Sequence, residues 1–350
     1  MSTSGVIARY RDLLDLPHKH LPVTLNEGDT PLIPLPRLGA ELDCQLFAKF
    51  EGLNPTGSFK DRGMTAAMTE AAASGAQTVI CASTGNTAAS AAAYAARAGL
   101  RCVVLIPEGK VAVGKLAGAV AYGADVIQIQ GSFDDALSLV RQIGERLPIA
   151  IVNSINPHRI QGQKTGAFEI IDQLGGRAPD WMCLPVGNAG NITAYWLGYR
   201  EYHAAGKAPN LPRLLGVQAA GSAPLVLGHP VDQPETVATA IRIGRPARGE
   251  EALLAAEESR GAIVAVSDDQ ILSMQKRLAS EGVWCEPASA AGAAGLLQET
   301  AAGRMDVRGL TVVCVVTGHG MKDPAIVTEQ FAAPPVVPAT LEALASLLAR

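Results

Sequence analysis

Several common features are missing from this 350-residue chain, and each absence excludes something. Basic residues never gather into a tract, and the formal net charge is −4, so nucleic acid is not expected as a partner. The longest apolar runs, such as Ala88–Ala96, are alanine-rich and too short to cross a bilayer, so no membrane is expected either. There is no Cys-x-x-Cys pair. Six cysteines (44, 81, 102, 183, 285 and 314) lie scattered, four of them in strand-like apolar runs. That pattern predicts buried, reduced thiols rather than disulfides or metal ligands. The six histidines show no ligand spacing, so no metal is expected. The start, Met-Ser-Thr-Ser-Gly-Val-Ile-Ala-Arg-Tyr-Arg, lacks a charged-then-apolar signal pattern, which predicts a cytoplasmic location.

What is present is 48% hydrophobic and 18% charged, the profile of an α/β enzyme, with length for two domains. After a lead-in with a helical Val6–Leu14 and a strand near Leu46, the chain alternates. Strands are predicted at Thr78–Ala82, Cys102–Ile106, Asp125–Gln130 and Ile149–Asn153, with helices at Ala88–Ala98, Val111–Ala121 and Phe133–Glu145 between them. A second series follows. Its strands are Trp181–Leu184, Leu214–Gln218, Ile263–Val266 and Thr311–Val316, and its helices His158–Gln173, Ile192–Ala204, Asp268–Ser280 and Ala288–Ala301. Gly221–Gly249 is predicted as a long loop with short helices, and Thr340–Leu348 as a last helix. Alternation at this rhythm means right-handed crossovers and parallel sheets. The expectation is two doubly wound α/β domains with a cleft between them: 49–153 the smaller, and 1–48 with 154–350 the larger.

Ligands in such sheets bind beyond the carboxyl ends of the strands, so the loops there carry the chemistry. Asn54-Pro-Thr-Gly-Ser-Phe-Lys-Asp-Arg-Gly63 follows the Leu46 strand. Ser58 and Asp61 have capping-box spacing, which puts Lys60 in the first turn of a helix. The helix dipole there disfavours an ammonium, so Lys60 reads as an amine nucleophile, against the alternative of a solvated surface lysine. Ser83-Thr-Gly-Asn-Thr87 offers free amides for a carboxylate or phosphate, or else simply caps its helix; Asn86 adds a donor suited to an aromatic oxygen. In Pro185-Val-Gly-Asn-Ala-Gly-Asn-Ile-Thr193, Gly187 and Gly190 permit close approach, so amides from Gly187 to Asn191 could wrap a phosphate; a structural tight turn is the other reading. The glycine spacing matches neither Gly-x-Gly-x-x-Gly nor a Walker loop. Thr317, in Thr317-Gly-His-Gly-Met-Lys322, is a neutral hydroxyl at a strand end. Asn153, Ser154 and Arg159 gather at a helix start, where a bidentate arginine suits a phosphate.

An amine nucleophile, a dianion nest, a carboxylate loop and a neutral hydroxyl fit pyridoxal 5'-phosphate as cofactor. Asn-Pro-Thr-Gly-Ser-Phe-Lys-Asp-Arg-Gly, Ser-Thr-Gly-Asn-Thr, Val-Asn-Ser-Ile-Asn-Pro-His-Arg and Gly-Asn-Ala-Gly-Asn, in that order from about Gly28 to Pro324, resemble the tryptophan-synthase-β-like (fold type II) pyridoxal phosphate family. The resemblance implies that the cofactor lies in the cleft between the domains. It implies Lys60 as the Schiff-base lysine and Phe59 beside the cofactor ring. It implies Asn86 at the 3′ oxygen, Gly187, Asn188, Ala189, Gly190 and Asn191 around the cofactor phosphate, and Thr317 at the pyridine nitrogen. Ser83, Thr84 and Thr87 would take the substrate carboxylate, and Lys115, Asn153, Ser154 and Arg159 its phosphate. Lys110 is close by, and either lysine could be a surface residue.

The implied activity is that of a carbon–oxygen lyase of threonine biosynthesis, converting O-phospho-L-homoserine and water to L-threonine and phosphate, in a homodimer. Only about 27 residues precede Gly28, so the S-adenosylmethionine-sensing extension of some relatives is not expected. Two alternatives stand beside this: a serine/threonine dehydratase of the same fold, and a non-catalytic cofactor or anion carrier that would need the Gly/Asn nest but not Lys60.

Overall fold

A computed structural model describes residues 5–16, 20–83, 85–109, 113–131, 133–328 and 334–349. Among the described residues, ten strands form two sheets. β1 (Leu32–Pro34), β2 (Gln45–Phe50), β7 (Trp181–Pro185), β8 (Arg213–Ala219), β9 (Ala262–Val266) and β10 (Thr311–Val316) make a six-stranded sheet in the order β1-β2-β10-β7-β8-β9. β3 (Thr78–Ala82), β4 (Arg101–Pro107), β5 (Asp125–Ile129) and β6 (Ile149–Ile151) make the second, in the order β5-β4-β3-β6. Every pairing is parallel except β1 with β2. β2 is in register with β10, Gln45 opposite Thr311 and Phe50 opposite Val316, so the chain leaves the larger sheet only after Phe50.

The central strands are continuous apolar runs because both faces are covered: all five residues of β7 and the last five of β10 are buried. Helix Asn86–Ala98 is rich in alanine, the strongest helix former, and ends on Gly99 in the left-handed region (φ 68°). Helix Pro287–Ala301 lies against β7 at Gly292, where a Cβ would come 3.1 Å from the Cys183 carbonyl carbon and oxygen. No helix among the described residues is long and apolar enough to cross a membrane.

Three expectations need correction, and two elements were not foreseen. His158–Gln173 is two helices, Pro157–Gln163 and Thr165–Gln173, meeting at Lys164, where the Thr165 hydroxyl donates to the Gly162 carbonyl (2.6 Å) and competes with the helical ladder. Val6–Leu14 is a single helical turn, Val6–Arg9, followed by a 3-10 turn. β1 and helix Gly249–Glu258 were not foreseen. The Ser58–Asp61 capping box does not form. The helix of Lys60 spans Lys60–Ala73 and starts behind Phe59; the Ser58 hydroxyl has no partner, and the Asp61 carboxylate turns back to the Thr56 amide (2.7 Å) and hydroxyl (2.6 Å).

Under that helix lies a buried ionic cluster. The Arg62 guanidinium reaches Glu51 (2.7 Å) and Glu169 (2.6 Å), and the Lys49 ammonium reaches Glu169 (2.9 Å). All four side chains are at most 1% exposed. Burial would push the Glu169 carboxyl up, but Arg62 and Lys49 overcome that and hold it well below the usual carboxylate range. The cluster fastens helix Lys60–Ala73 to β2 and to helix Thr165–Gln173.

Candidate active site

The carboxyl ends of β3 and β6 from one sheet, and of β2, β7 and β10 from the other, open into one cleft of about 600 Å³. That is a normal volume for a small-molecule site. Main-chain bonds join its loops. Ser58 pairs with Gly318, and Cys285 with His319. The Phe59 amide donates to the Thr317 carbonyl (3.0 Å), the His319 amide to Gly57 (2.9 Å) and the Glu286 amide to Gly318 (3.1 Å).

Lys60 keeps a face on the cleft, with its ammonium nitrogen 4.2 Å from the centre of the Phe59 ring. Its pKa falls to about 7. The helix dipole was the expected reason; desolvation is the largest cause, the Arg159 charge comes next, and Glu286 opposes both. A neutral amine at physiological pH is what a lysine nucleophile or base requires.

The loop after β7 leads into helix Gly190–Ala204 through Ala189, held in the left-handed region at φ 66°, a conformation costly for a residue with a Cβ. Such a turn points consecutive amides one way, as an anion nest does. Both amide atoms of the buried Asn191 side chain lack a partner, and Asn191 lines the cleft. A buried carboxamide with neither group satisfied is costly, and a phosphate would satisfy its donor. The residues present therefore fit a phosphorylated cofactor.

Other foreseen residues have protein partners. The Thr317 hydroxyl is 2.8 Å from that of Ser289. Asn86 donates to both oxygens of Glu286 (3.0 and 3.1 Å). The Asn153 carboxamide spans the Ala82 backbone, accepting from its amide (3.0 Å) and donating to its carbonyl (2.9 Å), so it extends the β3–β6 ladder. Ser83, Thr87, Asn153, Ser154 and Arg159 all line the cleft. Arg159 is 1% exposed; one of its groups donates to the Val152 carbonyl (3.3 Å) and its Nε has no partner. Burial is the largest cause and brings its pKa down to about 10; Cys81 pulls it upward and, more weakly, the Arg248 charge pulls it down. Thr84 and the Lys115 side chain lie outside the described residues, as does Lys110.

Sequence reasoning missed Glu286. It stands at the start of helix Pro287–Ala301, lines the cleft, and is raised in pKa by burial, while its bond from Asn86 and the charges of Lys322 and Lys60 pull the other way. A buried carboxylate directly before a proline at a helix start was the available signal.

Two largely parallel sheets around a cleft, with a lysine amine after one strand and a Gly/Asn loop after another, are the frame of a pyridoxal phosphate enzyme of fold type II. The chain belongs to the family described as "Pyridoxal-phosphate dependent enzyme", which matches residues 23–318. It is 58% identical to the threonine synthase of Mycobacterium leprae (strain TN), over 97% of this chain and 94% of that one. It is 60% identical to the threonine synthase of Mycobacterium tuberculosis (strain ATCC 25618 / H37Rv), over 91% of this chain and 89% of that one. Within the family it belongs with the threonine synthases. A fungal L-serine ammonia-lyase from Rhizomucor miehei shares the fold at a TM-score of 0.75 and 23% identity, over 87% of this chain and 97% of that one.

Proposed function

We propose that this chain converts O-phospho-L-homoserine and water to L-threonine and inorganic phosphate, and that it does so as a cytoplasmic homodimer in which residues 49–153 form the smaller domain. The observation that supports the substrate assignment is that the cleft lined by Lys60 also holds two groups of unsatisfied polar atoms suited to anions. The unpartnered Asn191 and the Gly187–Asn191 amides make one; Arg159, buried with a free Nε, makes the other.

Pyridoxal phosphate, when bound, supplies an electron sink next to the substrate's α-carbon. The Gly187–Asn191 loop would hold its phosphate, Asn86 and Thr317 would face its ring, and Lys60 would anchor it. Lys60 Nζ, free near pH 7, is suited to take the proton from the substrate's α-carbon and return it later. Ser83 and Thr87, at the start of helix Asn86–Ala98, would hold the substrate's carboxylate. Arg159 and Ser154 would hold the γ-phosphate and stabilise it as it leaves as a dianion. A dehydratase has no leaving phosphate and no need of that second corner.

The test is direct. Phosphate release from phosphohomoserine should far exceed ammonia release from threonine, and the reverse ranking overturns the reading. Arg159→Ala should raise KM for phosphohomoserine by about 1–3 kcal/mol of lost charge-assisted binding. An unchanged KM removes Arg159 from the phosphate corner.

A further inference from the structure

Arg248 stands directly before helix Gly249–Glu258, at the end of the long segment in which the sequence shows no periodicity. Its position is defined by bonds to both anion corners. Its backbone amide donates to the Asn188 carbonyl (3.3 Å), and the neighbouring Ala247 amide donates to the Asn188 side chain (3.4 Å). Its guanidinium Nε donates to the Ser154 carbonyl (3.4 Å). Asn188 belongs to the proposed cofactor-phosphate loop and Ser154 to the proposed substrate-phosphate corner, so one residue bridges the two.

The electrostatics of that corner are unbalanced. Arg159 makes no ion pair among the described residues, and the charge of Arg248 adds to the cost of keeping it protonated. Among the described residues the carboxylate paired with Arg248 is Glu251, one turn along the helix that follows (3.2 Å), on a side chain 45% exposed. An exposed pair of this kind contributes little, so Glu251 is readily exchanged for a better anion. Two guanidiniums, one without an ion pair and the other held only by a weak one, are suited to a dianion, whose oxygens can accept from both.

We propose that Arg248 is a second arginine of the substrate-phosphate corner, which leaves Glu251 to grip the dianionic leaving group of a phosphorylated amino acid and thereby links that corner to the cofactor-phosphate loop. This deepens the functional reading above and rests on it. Arg248 acts in substrate selection: a neutral hydroxyl leaves the two cations unneutralised, whereas a phosphate neutralises them.

Cofactor-loaded wild type, Arg248→Ala, Arg248→Lys and Glu251→Gln are titrated with inorganic phosphate by calorimetry, and KM for phosphohomoserine is measured on the same samples. Arg248→Ala should weaken phosphate binding at least tenfold and raise KM in parallel. Arg248→Lys should fall between it and wild type, and Glu251→Gln should bind phosphate as tightly as wild type or more tightly. Wild-type phosphate affinity in Arg248→Ala overturns the proposal, as does a wild type that binds no phosphate. Equal loss in the alanine and lysine variants, together with loss of the cofactor's visible absorbance, means a structural role and also overturns it. Failure of the functional reading looks different: wild type then releases no phosphate from phosphohomoserine, while the calorimetric titration still reports on Arg248.

Discussion

Replacing Gly162 by alanine should damage stability and catalysis together. Helix Pro157–Gln163 crosses helix Lys60–Ala73 so closely that a Cβ on Gly162 would lie 1.8 Å from the Arg62 carbonyl oxygen and 2.7 Å from its carbon. A comfortable carbon–oxygen approach is about 3.3 Å, so the backbones must part by well over 1 Å. No flexible side chain can yield instead, because the obstacle is main chain. Nor can the Lys60 helix slide freely, since the Arg62 side chain is held by Glu51 and Glu169 in the buried cluster. Overpacking of this kind costs about 1–3 kcal/mol, and more where relaxation is blocked. One of the two helices carries Lys60 and the other Arg159, so the same displacement separates the amine from the proposed phosphate corner. A misplacement of about 1 Å can cost about 10²-fold in rate. The assay pairs the urea midpoint with kcat/KM for phosphohomoserine. A Gly162→Ala protein with the wild-type midpoint and wild-type kcat/KM would refute the inference that this contact sets the geometry.

Three further outcomes are expected. Because the pKa of Lys60 is lowered to about 7, its amine is mostly protonated below that pH and free above it. Loading with pyridoxal phosphate, followed by visible absorbance, should therefore climb between pH 6 and 8 and then level; a climb continuing toward pH 10, as an ordinary lysine gives, contradicts the assignment. Glu286→Gln removes the charge that raises the Lys60 pKa, so the loading midpoint should move to lower pH, and an unchanged or higher midpoint counts against the contact. Glu169→Gln leaves Arg62 and Lys49 buried with Glu51 as the cluster's one carboxylate, and should cost about 3–5 kcal/mol in urea unfolding. A loss under about 1 kcal/mol would show the cluster to be weakly coupled.

The strands and the loops after them were legible because parallel strands covered on both faces appear as unbroken apolar runs, β7 and β10 above all. The loops carry their chemistry locally: glycine and asparagine crowd around Ala189, and Lys60 follows its tight turn within a few residues. What escaped notice depends on partners far along the chain. β1 is three residues long, ends in proline and has meaning only beside β2. Glu286 becomes a site residue by facing Asn86, 200 positions earlier, and Arg248 by reaching Ser154, 94 positions earlier. The Ser58–Asp61 spacing misled for a related reason. A capping box is a local inference, and the Asp61 carboxylate is claimed by Thr56 and, across a helix interface, by the Ser90 hydroxyl (2.6 Å).

The loops carrying Lys60, Thr317 and Glu286 are sewn to one another by amide-to-carbonyl bonds at Gly57, Phe59, Thr317, Gly318 and Glu286. Such stitching does not depend on which side chains its residues bear. A frame of this kind can hold its shape while the groups projecting from it are exchanged, so that the identity of the reaction can drift over a constant scaffold.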